Sequence, residues 1–147
     1  MKGIMGFGFF LLFLAGIALV MLQGREMARQ NMPGGGASMT GVEWRPTLIG
    51  TSEIAADSGM FVHFSVDGSI KGNAGCNDFF GSLEMQEGNL SVGELGATRK
   101  ACPDDIMQNE TAFMRALQDA QQFEMGDNSL QLLGAENVLL AELVGPE

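Results

Sequence analysis

The sequence predicts an α+β fold: a compact antiparallel meander able to close into a barrel, with one main helix, preceded by an N-terminal transmembrane helix. Three observations lead there. Residues 3–22, GIMGFGFFLLFLAGIALVML, are 20 consecutive positions without a charge, which as a helix would rise through roughly 30 Å of hydrocarbon. Beyond residue 42, short runs alternate apolar and polar residues between Gly, Asp and Asn clusters, the pattern of half-buried strands joined by tight turns. A single stretch, 104–120, changes to a helical period.

Residues 1–24 are read as a transmembrane anchor or signal segment. Signal cleavage wants small residues at the first and third positions before the cut, and cuts after Gly24 or Ala28 would place Leu22 or Glu26 at the third. An uncleaved anchor is therefore the expected state, with a cleaved, secreted form as the alternative. Leu14-Ala15-Gly16 looks like the start of a lipoprotein signal, but Ile17 stands where the lipidated cysteine would be. Lys2 on one side and Arg25 and Arg29 on the other balance each other, so the positive-inside rule does not set the orientation. Residues 25–41 form a linker, since Pro33 lacks a helix donor and Gly34, Gly35 and Gly36 lose too much backbone freedom on ordering.

The domain is expected over 42–147. Trp44 and Thr47-Leu48-Ile49-Gly50 open it. Met60 to Val66 follows as a strand with Val62, Phe64 and Val66 on one face and Phe61, His63 and Ser65 on the other. Asp67-Gly68 is expected to supply the positive-φ pair of a hairpin, with Ser69 to Gly72 returning. Further strands are expected over Gly81 to Gln86 and Asn89 to Val92, joined by Glu87-Gly88. From Pro103 to Ala120 a helix should bury Ile106, Phe113 and Leu117. Pro103 suits its first turn and Asp104 and Asp105 its positive end. Phe123 to Met125, Leu130 to Leu133 and Val138 to Val144 complete the meander, with turns at Gly126-Asp127-Asn128 and Gly134-Ala135-Glu136-Asn137.

Charge narrows the function. From residue 41 onward, 17 acidic side chains face only Arg45, Lys71, Arg99, Lys100 and Arg115, a balance of -12. Such a field repels phosphate backbones, so no nucleic-acid partner is expected. Tyrosine is absent, and Trp44 and His63 are single examples of their kinds. That is a thin inventory for acid-base or metal chemistry, and no cofactor or metal is expected.

Two blocks stand out: Gly72-Asn73-Ala74-Gly75-Cys76-Asn77 and Thr98-Arg99-Lys100-Ala101-Cys102-Pro103. The order Trp44, Asp67-Gly68, Gly72-x-x-Gly75-Cys76-Asn77, Phe80-Gly81, Thr98-Arg99-x-Ala101-Cys102, Glu110 and Phe113 resembles the META domain of HslJ-like heat-shock proteins over about residues 42 to 144. The resemblance implies a small bacterial envelope protein, often a lipoprotein, linked to heat induction and altered antibiotic sensitivity. Protozoan relatives are linked to virulence and motility. It brings no catalytic residues with it. Lys100 departs from the apolar residue usual there, and Ile17 replaces a lipid by a peptide anchor.

Cys76 and Cys102 read as a disulfide ahead of two buried thiols or half a metal site, the metal being disfavoured because no C-x-x-C pair accompanies them and only His63 could supply an imidazole. Gly72 and Gly75 lack the G-K-[ST] ending of a phosphate loop and read as close backbone approach or a bulge. Glu110 lies on the apolar stripe between Ile106 and Phe113, so burial would require donors, with Thr98, Arg99, Asn73 and Asn77 as candidates. The expected function is a membrane-anchored, non-enzymatic envelope module that binds an unidentified protein or small molecule, its domain in the periplasm or outside the cell. The alternative is a small hydrolase using Glu110, Asp78 or His63.

Overall fold

The computed structural model describes residues 38–146. The expected anchor and residues 25–37 of the expected linker lie outside them. Among the described residues no helix is long and apolar enough to cross a membrane.

Ten strands and one α-helix build the domain: β1 (Glu43–Ile49), β2 (Ser52–Glu53), β3 (Phe61–Phe64), β4 (Ser69–Asn73), β5 (Asp78–Gln86), β6 (Asn89–Val92), β7 (Gly96–Ala97), α1 (Asp104–Asp119), β8 (Gln122–Met125), β9 (Ser129–Leu133) and β10 (Leu139–Val144). Eight of the strands close a circuit of antiparallel pairs, β1-β3-β4-β5-β6-β8-β9-β10 and back to β1. Closure removes exposed sheet edges around the barrel. β2 pairs with the end of β1, and β7 flanks β5. The narrowest seam is β6 against β8, where Leu90 N donates to Gln121 O at 2.9 Å and Phe123 N to Gly88 O at 3.1 Å. Helix α1, inserted between β7 and β8, packs against β6, β10 and β1.

Alternation makes the core. Trp44, Val62, Phe64, Ile70, Phe79, Leu130, Leu132 and Leu143 point inward from six strands and meet Phe113 and Leu117 of α1. Phe79 and Phe113 cross edge to face with ring centres 6.1 Å apart. The packed region starts before Val42: Met39 is buried, and its carbonyl accepts the Trp44 Nε1–H at 2.8 Å.

Several expectations are corrected. Val66 is 88% exposed instead of facing the core with Val62 and Phe64, because β3 stops at Phe64 and Val66 belongs to the turn. Gly68 alone has positive φ there, at 80°. Ser65 N bonds Ser69 O and Gly68 N bonds Ser65 O, so the loop has three residues with glycine last instead of two positive-φ residues. The Glu87-Gly88 turn does place both residues at positive φ, 48° and 85°, the type I′ geometry that hairpin twist favours. β5 begins at Asp78, three residues ahead of the expected Gly81. Ile106 is half-buried, and the buried helix positions are Glu110, Phe113, Ala116 and Leu117. Pro103 sits just outside the helix, its carbonyl accepting Met107 N at 3.1 Å.

Candidate functional site

The two sequence blocks meet at the N-terminal end of α1. Between β4 and β5 the chain turns tightly: Asn73 Oδ1 accepts Gly75 N at 2.8 Å, and Ala74 N donates to Asn77 O at 2.9 Å. Gly75 has φ of +107°, and a Cβ there would stand 3.4 Å from Met60 Cγ and 3.5 Å from Ile106 Cγ2. The positive φ is what calls for glycine, since those contacts are ordinary ones. Gly72, in β4, has no room for a side chain, since a Cβ would collide with the Phe61 carbonyl and lie 2.8 Å from Phe79 Cζ. The Phe79 ring fits across the strands of this small barrel because residue 72 is bare.

Asn77 is the hub. Only 2% exposed, it uses all its polar side-chain groups. Its Oδ1 accepts Lys100 N at 2.7 Å and Thr98 Oγ1–H at 2.8 Å. Its Nδ2 donates to Glu110 Oε1 at 2.9 Å and Lys100 O at 3.3 Å. The backbone N–H donates to Glu110 Oε2 at 2.7 Å. These partners fix the amide orientation, because the Lys100 N–H needs an acceptor and the carboxylate needs a donor. Glu110, 6% exposed, is thereby doubly hydrogen-bonded with no ion pair among the described residues, and such bonds are how a buried carboxylate is tolerated.

Beside this hub the Sγ atoms of Cys76 and Cys102 are bonded, with Cα atoms 6.1 Å apart. Both cysteines of the chain are thus accounted for, and among the described residues no cluster of three or more His, Cys, Asp or Glu could hold a metal ion.

The other singled-out residues fall elsewhere. Thr98 reaches Asn77 rather than Glu110, and its Oγ1 also accepts Asp78 N at 3.2 Å. Arg99 is exposed and makes no hydrogen bond or ion pair among the described residues, so its expected part as a donor to Glu110 is not realised. Lys100 is exposed at its side chain and faces Asp78 at 3.8 Å, leaving its backbone to do the ordering. Asp78 Oδ1 accepts Asn73 Nδ2 at 2.8 Å. His63 lies on the outer face of β3, paired across strands with Glu43 and Lys71, its Nδ1 3.3 Å from Ser65 Oγ.

The hydrolase set is therefore not brought together. Among the described residues, surface clefts lie along the outer face of α1 near Met107 and Ala112, along its flank near Glu110, Met114 and Gln118, and at the Glu84–Ser91 hairpin. His63 lines none of these. Phe80, named in the sequence only as part of the Phe80-Gly81 block and given no role there, is 65% exposed on β5. A Cβ on Gly96 would be 2.8 Å from Phe80 Cζ, so the ring lies over a bare backbone that leaves room for it. Its signal was the Phe79-Phe80 pair, one of which must face outward in a strand.

The sequence profile of the META domain matches residues 37–144. Among solved structures, the chain is similar to a protein from Burkholderia xenovorans studied by NMR, with 24% identity and a TM-score of 0.59, over 79% of this chain and 97% of that one. A second NMR structure is similar at 20% identity and a TM-score of 0.56, over 70% of this chain and 87% of the other. These likenesses concern the fold. No protein of curated function matches the chain.

Proposed function

The chain belongs to the META domain family, and from that membership we propose that it is a non-enzymatic binding or interaction module, held at a bacterial envelope membrane by its N-terminal segment and serving under envelope stress. One observation supports this reading above the others: the groups that hydrolysis would need are separated and already engaged. Glu110 accepts two bonds from Asn77, Asp78 is tied to Asn73 and Lys100, and His63 lies on the outer sheet face beside Ser65. General acid-base work requires such groups to converge on one reacting atom. Phe80, exposed and lying over Gly96, is an apolar contact of the kind a partner would use.

The test uses the full chain in its native membrane. A photoreactive residue at position 80 should cross-link a discrete partner, while the same probe at exposed Val138 should not. The chain itself should remain with the membrane after a carbonate wash, because an apolar helix of about 20 residues is not released by breaking charge contacts. Release by carbonate overturns the anchor. Turnover of an ester, amide or glycoside substrate that disappears in His63→Ala overturns the non-enzymatic reading.

A further inference from the structure

We propose that the Cys76–Cys102 bond is a reversible latch, opened by small thiols at Cys102, and that the domain stays folded when it opens because Asn77 independently holds the same two loops together.

The two cysteines are not equally exposed. Cys76, within the β4–β5 loop, is 6% exposed, whereas Cys102 is half-buried at the entry to α1. Thiol exchange requires a thiolate to attack a disulfide sulfur, so access decides which one is taken. An incoming thiolate forms a bond to Cys102 Sγ, the Cys76–Cys102 bond breaks, and the electron pair leaves on Cys76 Sγ, which takes a proton from water. The Lys100 carbonyl oxygen lies 3.6 Å from Cys76 Sγ, within range of the S–H that results. A second thiolate then attacks the added thiol's own sulfur. It forms the small-molecule disulfide and releases Cys102, which is protonated in turn.

What remains is the hub. Asn77 follows Cys76 directly, and Lys100 lies two residues before Cys102. Between these neighbours run the Lys100 N to Asn77 Oδ1 bond at 2.7 Å and the Asn77 Nδ2 to Lys100 O bond at 3.3 Å, with Thr98 Oγ1 adding a third at 2.8 Å. None passes through sulfur. Glu110 ties the same asparagine to α1. The opened cysteines are therefore kept close to their present Cα separation of 6.1 Å, a distance from which a disulfide re-forms without backbone rearrangement.

The experiment exposes the full-length chain in detergent to reduced glutathione, quenches with acid, alkylates, and maps the adducts by peptide mass spectrometry. The glutathione adduct on Cys102 should exceed that on Cys76 by about tenfold or more. The fully reduced protein should keep the near-UV circular dichroism and Trp44 emission of the oxidised one, and oxidised glutathione should restore the intramolecular bond in monomeric protein. The sulfur-free variant Cys76→Ser/Cys102→Ser should show the same native signature. Equal or reversed labelling, no adduct, loss of the native spectrum on reduction, or an unfolded double variant each overturns the latch.

Discussion

Glu110 and Asn77, 33 residues apart in sequence, are joined twice: the Asn77 backbone N–H reaches Oε2 at 2.7 Å and its side-chain amide reaches Oε1 at 2.9 Å. A carboxylate can accept both because each oxygen is an acceptor and neither is a donor. Through this pair the helix is fastened to the β4–β5 loop, and through the far side of Asn77 to the loop before α1.

Glu110→Gln keeps the shape and removes that match. One of the two contacts would then set an NH2 group against an N–H donor, so a bond is lost and a buried donor is stranded. The expected loss is about 1 to 3 kcal/mol, read as a lower thermal midpoint. Partner cross-linking by the still-folded protein should persist. A variant as stable as the wild type that has lost binding or a turnover would make Glu110 a functional group instead.

Phe113→Ala should be costlier. The ring is fully buried and crosses Phe79 edge to face, and removing it leaves a cavity in the space shared by α1 and the barrel. The expected loss is about 3 kcal/mol or more, a serious share of a small domain's stability. Chemical denaturation checks it, and a change within about 0.5 kcal/mol, as for an ordinary surface site, would assign the wrong face to the helix.

Much of this architecture was legible residue by residue, and the gaps have physical causes. Strong alternation at Val62-His63-Phe64 and the helical spacing of Phe113 and Leu117 carry local signals that the packing then uses. β2 and β7 span two residues each, too short for any period, and exist because β1 and β5 offer them a ladder. Val66 reads as core by alternation alone, yet β3 stops at Phe64 and Val66 falls in the three-residue turn that closes on Gly68. At the candidate site, the apolar stripe around Glu110 announces a need for donors, but four residues could have supplied them. Only the closure of β4 onto β5 and the placement of α1 select Asn77, a choice of tertiary structure that no local pattern contains.

Acid should weaken the β3–β4 turn. Asp67 Oδ1 accepts Ser69 Oγ–H at 2.6 Å and Ser69 N at 3.0 Å, and the Ser69 hydroxyl, followed by the Ser69 backbone, holds the Asp67 carboxyl below its ordinary value. A depressed folded value means the turn's contribution is complete above the unfolded carboxylate range and is lost as pH falls through the folded one. Asp67→Asn keeps an acceptor oxygen but cannot titrate. The thermal midpoints of wild type and variant should therefore differ near neutrality and converge in acid. Parallel profiles down to the lowest accessible pH would count against this role for the Ser69 contacts.

Two glycine substitutions separate crowding from backbone strain. Gly88 has φ of +85° with nothing within 4 Å of a would-be Cβ, so Gly88→Ala meets only the left-handed backbone penalty of about 1 kcal/mol. Gly72 is not among the positive-φ residues, so its backbone would accept alanine, but the methyl would run into the Phe61 carbonyl and lie 2.8 Å from Phe79 Cζ. Phe79 cannot retreat easily, because its ring also meets Phe113 in the core. Gly72→Ala should therefore cost about 2 to 3 kcal/mol, the scale of an overpacked core. Urea denaturation of the two variants should place Gly72→Ala well below Gly88→Ala. The reverse order would mean that β3 and β4 can part to admit a methyl, and that the tight strand approach at Gly72 is not what orders the Phe79 ring.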